Sequence, residues 1–133
     1  MSEENVEIVR RSLEAFATDQ RLSPEVAKDL VWDMSAFRGW PDEPLYHGWD
    51  EFYEFFAAWR RPYETWSLAL YDLLDTGGER VLALMTQTAR PHGSDSDLQL
   101  ESSLLYTVRD GLIRRVQVYS VRAEALEAAA LAG

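Results

Sequence analysis

Apolar residues recur at helical spacing along the first part of the chain. Val6, Val9, Leu13 and Phe16 step by three, four and three, which sets them on one stripe of a helix running to about Ala17. Ser2, Glu3 and Glu4 suit its start, where acidic groups meet the positive end of the helix. Ser23-Pro24 reads as a cap and first helical residue, so a short second helix is predicted through Val26, Ala27 and Leu30, followed by a brief strand at Val31-Trp32-Asp33. Residues 34–48 carry Gly39, Pro41, Pro44 and Gly48 among acids and aromatics, the texture of an irregular loop able to act as a lid. Trp49, Phe52, Phe56 and Trp59 then repeat the helical step, and Pro62 ends a third helix.

Beyond Pro62 the period falls to two. Trp66, Leu68 and Leu70 share one face of a strand, and the turn 75–78 leads to a second strand from Arg80 to about Ala89. Further strands are predicted from Leu98 to Val108 and from Leu112 to Val121, joined by a tight Arg109-Asp110-Gly111 hairpin. An alanine-rich helix from Ala123 to Ala132 follows. Helices first and a mostly antiparallel sheet afterwards make the fold class α+β. Alternation places Leu100, Ser102, Leu104, Tyr106 and Val108 on one face of the penultimate strand, and Leu112, Arg114, Val116 and Val118 on one face of the last.

The chain has 133 residues, the size of one domain spanning 1–133. Its formal net charge of -10 argues against nucleic acid and anionic membrane surfaces as partners. The absence of cysteine excludes disulfides, thiol nucleophiles and Cys-ligated metals, and His47 and His92 lack a metal-ligand spacing, so neither a metal nor a cofactor is expected. Without a basic leader or long apolar run, a cytoplasmic protein is expected. Thirteen of the 16 aromatic residues fall between Trp32 and Tyr71, which concentrates them into one cluster that is either core or pocket wall.

Several segments carry a family resemblance. Residues 5–11, Val31-Trp32, Tyr46-His47-Gly48 before Phe52 to Trp59, the hairpin at 108–113, and Val118-Tyr119 before residues 122–126 together resemble a SnoaL-like domain of the nuclear-transport-factor-two-like superfamily. The resemblance implies a cone: a strongly curved antiparallel sheet wrapped around three N-terminal helices, with a C-terminal helix. Relatives of this kind include polyketide cyclases, ketosteroid isomerases, epoxide hydrolases and noncatalytic binding modules, so function must be read from the pocket.

SnoaL-like cyclases carry an inward histidine on the penultimate strand and an inward aspartate on the last. The matching positions here hold Leu104 and Val118, which cannot exchange protons. The remaining catalytic candidates are Asp33 as a carboxylate base, Tyr106 as a hydroxyl donor and His47 as a group titrating near neutrality. A pocket is expected among Trp32, Trp49, Phe52, Phe56, Trp59, Met85, Leu104, Tyr106 and Val118. Its expected occupant is a small apolar molecule of polycyclic or terpenoid kind, with lyase, isomerase or hydrolase chemistry open. The alternative is a noncatalytic homodimeric interaction or regulatory module. Glu101, Arg115, Gln117 and Tyr119 would form its interface on the outer sheet face, with Glu101 meeting Arg115.

Overall fold

Helix α1 (Ser2–Asp19) turns the stripe predicted for it inward: Ile8, Val9 and Leu13 are buried, and Glu3 and Glu4 occupy its first turn. The computed structural model describes residues 2–132. The second predicted helix is absent. Its residues form strand β1 (Val26–Asp33) instead, so two helices, not three, precede the main strands. The cause is a bulge: β1 pairs in parallel with β6 (Leu112–Tyr119) at Val26↔Ile113 and again at Val31↔Arg115, five residues against two. The three extra residues break the period of two and bury Val26, Ala27 and Leu30, a spacing that imitates a helix.

A short strand β2 (Leu45–His47) pairs with β1 and leads into α2 (Gly48–Arg60). Gly48 at that corner has φ of +80°, and a Cβ there would lie 3.3 Å from the Lys28 carbonyl oxygen, so the corner requires glycine. Strand β3 (Tyr63–Gly77) follows Pro62 and runs through the predicted turn residues before reversing at Gly78 and Glu79 into β4 (Arg80–Pro91). Strand β5 (Leu98–Arg109) then reverses through Asp110 and Gly111, both with positive φ as a two-residue hairpin requires, into β6. Helix α3 (Arg122–Ala132) completes the order.

The six strands form one mixed sheet, ordered β2-β1-β6-β5-β4-β3. Every adjacent pair is antiparallel except β1 and β6, which corrects the expectation of an antiparallel sheet with one extra short strand. Alternation along the central strands buries both faces. Val81, Ala83 and Met85 of β4 and Leu104, Tyr106 and Val108 of β5 join α1 and α2 in one core, while Leu82, Leu84 and Leu105 pack with Ala125 and Ala129 of α3 in another. On β6 a second bulge interrupts the expected alternation. Thr107 opposes Arg115 and Val108 opposes Ile113, so one residue is left over, and Ile113 joins Val116 and Val118 on the inner face while Arg114 leaves it.

Candidate functional site

Between α1, α2 and the inner sheet face lies a cavity of about 80 Å³. Ser12, Leu13 and Phe16 of α1 and Phe52, Phe55, Phe56 and Trp59 of α2 form one side of it. Trp32, Trp66, Met85, Leu104, Tyr106, Val116 and Val118 are among the sheet residues that form the other. The aromatic walls lock edge to face, with ring centroids 4.8 Å apart for Phe16–Phe56 and for Trp32–Phe52, and 5.2 Å apart for Phe56–Trp66. No aspartate, glutamate, histidine, lysine or arginine lines the space. An apolar cavity of ~150 Å³ is enough to take up benzene, so this one suits a molecule of a few heavy atoms.

Its polar groups are few. Gln87 on β4 is a hub: its Oε1 accepts the indole N–H groups of Trp59 at 2.9 Å and Trp66 at 2.7 Å, and its Nε2 donates to Ser102 Oγ at 2.7 Å. These bonds tie α2, β3, β4 and β5 together around one wall of the cavity. Tyr106 is buried, and its hydroxyl has no hydrogen-bond partner among the described residues. Burial pushes its phenol well above the ordinary tyrosine range, so the group stays protonated. The Trp32 Nε1–H is also buried without a partner.

Eight of the nine residues expected in the pocket line this cavity: Trp32, Phe52, Phe56, Trp59, Met85, Leu104, Tyr106 and Val118. Trp49 does not. It sits at the start of α2, where its indole donates to the Ala27 carbonyl at 3.0 Å and its ring lies 3.6 Å from the Lys28 ammonium. Leu104 and Val118 are directly paired across β5 and β6, so two hydrocarbon side chains stand side by side on this wall.

Asp33 and His47 do not reach the cavity. The Asp33 carboxylate, although buried, belongs to the base of the loop 34–44: it accepts from the Ser35 backbone N–H at 2.8 Å, the Ser35 hydroxyl at 2.6 Å and Arg115 Nη2 at 2.6 Å. His47 is exposed ahead of α2, where its backbone N–H donates to Glu51 at 2.7 Å. Sequence reasoning missed Gln87, Trp66, Phe16 and Ser12. For Gln87 a signal existed, because it continues the inward set Val81, Ala83, Met85 as the one amide among apolar residues.

On the outer face, Glu101 pairs with Arg122 at 2.8 Å rather than with Arg115. Arg115 stands opposite Thr107, six residues from Glu101 along β5, and turns to Asp33 at 2.6 Å. Tyr119 is covered by α3, and burial together with the Asp33 charge raises its phenol. Only Gln117 and Arg115 of the expected interface remain partly open, beside the exposed Glu101.

The loop 34–44 closes one end of the aromatic cluster. Phe37 packs on Trp59 at 5.4 Å, and Trp40 on Phe55 at 5.2 Å and Trp59 at 5.7 Å. Outside, the Arg38 backbone N–H donates to Ser120 Oγ at 2.9 Å and its guanidinium pairs with Glu124 of α3. Among the described residues no cluster of side chains could hold a metal ion, and no helix is long and apolar enough to cross a membrane.

No protein-family model matches the sequence, and no curated protein matches it. Solved structures do match in shape. TerC, crystallised with polyporic acid, is 19% identical with a TM-score of 0.76, the alignment covering 95% of this chain and 98% of TerC. A nuclear-transport-factor-two-like protein of unknown function from Burkholderia pseudomallei is 22% identical with a TM-score of 0.72, covering 93% and 95%. A protein from Jannaschia sp. CCS1 assigned as a SnoaL-like polyketide cyclase is 13% identical with a TM-score of 0.67, covering 96% and 92%. At these coverages and TM-scores this chain has the fold of nuclear-transport-factor-two-like proteins.

Proposed function

We propose that this chain binds a small, neutral, mainly apolar molecule in the cavity beneath α1 and α2, and that no side-chain acid or base acts on it there. In this reading the sheet curls into a cone around those helices, bent by three irregularities in β3 and one each in β1 and β6. One observation carries the reading: the wall is aromatic and aliphatic with no ionisable carboxylate, imidazole or amine, and its one phenol is held protonated by burial. General acid–base catalysis needs a group that exchanges protons near the working pH, and Tyr106 is moved away from it. TerC, which shares the fold, was crystallised with polyporic acid, and this supports a ligand-binding role.

A thermal-shift series tests it. Neutral molecules of three to five heavy atoms are compared with charged counterparts of similar size, such as isobutene against isopropylamine and acetate, and with steroids. A ligand at about one hundred times its dissociation constant adds about 2.7 kcal/mol, which for 133 residues raises the midpoint by roughly 10 °C. Only the small neutral compounds should produce such shifts, since the wall offers no partner for a buried charge. Shifts from the charged compounds alone, or from none, would overturn the proposal. Equal shifts from steroids would overturn its size limit.

A further inference from the structure

The cavity's unsatisfied polar groups have a common sign. Trp32 and Tyr106 both stand opposite Val116, one from β1 and one from β5, and both line the cavity. Their Cα atoms are thus two strand spacings apart, about 9.6 Å, a gap that two large aromatic side chains on one sheet face can span. The indole N–H of Trp32 can only donate. The Tyr106 hydroxyl can donate or accept, and it makes no hydrogen bond among the described residues. Gln87 is already engaged: both indoles reach its oxygen and its nitrogen reaches Ser102. Ser12 adds a hydroxyl from α1 that can serve either way. An unpaired donor in an apolar wall is costly, and a hydrocarbon occupant would leave both unpaired.

We infer that the molecule held here carries one hydrogen-bond acceptor, a carbonyl or ether oxygen, taken by the Tyr106 hydroxyl with the Trp32 N–H as the second donor. This rests on the cavity being a binding site and adds the chemical class to it: a small cyclic or short-chain ketone, aldehyde or ether rather than a hydrocarbon. The retained proton on Tyr106 keeps the hydroxyl available as a donor across the physiological range.

The test crosses two probes with two proteins. Acetone and isobutene have nearly the same shape and differ in the oxygen. Their dissociation constants are measured by two-dimensional amide NMR on the wild type and on Tyr106→Phe, whose indole signals also report folding. Acetone should lose about three- to tenfold in affinity in Tyr106→Phe while isobutene changes by less than about twofold. In the wild type, acetone but not isobutene should move the Trp32 indole N–H resonance, which Trp32→Phe identifies. If both probes bind and the substitution weakens them equally, the acceptor assignment is wrong while the cavity remains a binding site. If neither probe binds the wild type, the cavity reading fails and takes this inference with it.

Discussion

Replacing Gln87 with methionine keeps the length of the side chain and removes both the oxygen and the nitrogen of its amide. Three hydrogen bonds vanish together, those from Trp59, Trp66 and to Ser102. At about 1 kcal/mol each the direct loss is about 3 kcal/mol. Ser102 is 2% exposed, so its hydroxyl has little access to water once abandoned, whereas the two indoles are only partly buried and recover part of their loss by hydration. An unfolding entropy of ~280 cal/mol/K for 133 residues converts 3 kcal/mol into a midpoint drop of roughly 11 °C. Urea unfolding followed by far-UV circular dichroism gives the energy, and the indole region of an amide NMR spectrum shows whether Trp59 and Trp66 lose their acceptor. Adding Ser102→Ala should make the double variant more stable than the two single losses predict, because an apolar pair leaves no orphan hydroxyl. A loss under about 1 kcal/mol, or strict additivity, would mean that Gln87 does not hold the wall.

Two further outcomes follow from the geometry. Burial raises the folded-state phenol of Tyr106 above its unfolded value, so the stability it contributes is complete below about pH 10 and is lost as pH rises beyond that toward the folded value. Alkaline unfolding of the wild type should therefore steepen above about pH 10, and Tyr106→Phe should reduce the slope by up to about 1.4 kcal/mol per pH unit; an unchanged slope would place the hydroxyl in water. Arg38→Ala removes the pairing that fastens the loop 34–44 to α3 but keeps the backbone bond to Ser120. Amide exchange should quicken in residues 34–44 with little change in the melting midpoint, and 0.5 M salt should act on the wild type in the same direction; equal exchange in both proteins would deny the pairing any role in closing the loop.

Much of this fold is legible where side chains repeat at one period. The stripe on α1, the stripe on α2 with Pro62 behind it, and the Asp110-Gly111 hairpin all appear at the expected places because nothing interrupts their local patterns. The failures fall on β1 and β6, where a bulge changes which side chains face inward. In β1 three extra residues turn a strand's alternation into a helix-like spacing, and in β6 one extra residue exchanges Ile113 for Arg114 on the inner face. Bulges are set by the neighbouring strand, so a single segment's periodicity carries no trace of them. Trp49 and Asp33 fail for a related reason. Each has the residue type a pocket would use, yet a backbone carbonyl claims the Trp49 indole and an arginine 82 positions away claims the Asp33 carboxylate.

The fate of Asp33 bears on what the cavity is for. The chain carries 23 acidic residues, yet Asp33 is the only buried one among the described residues, and its side chain serves Ser35 and Arg115 at the base of the loop 34–44. Carboxylates are therefore abundant in the protein and excluded from the cavity wall. A lone carboxylate there would have to shed its hydration among phenyl and indole rings, and it would answer by taking up a proton or by drawing in water. Gln87 shows how the same space accommodates polarity: an uncharged amide with three of its hydrogen-bonding positions filled by Trp59, Trp66 and Ser102. A wall built from neutral and largely satisfied groups favours a neutral occupant, and it leaves the orientation of that occupant to the few donors with no partner.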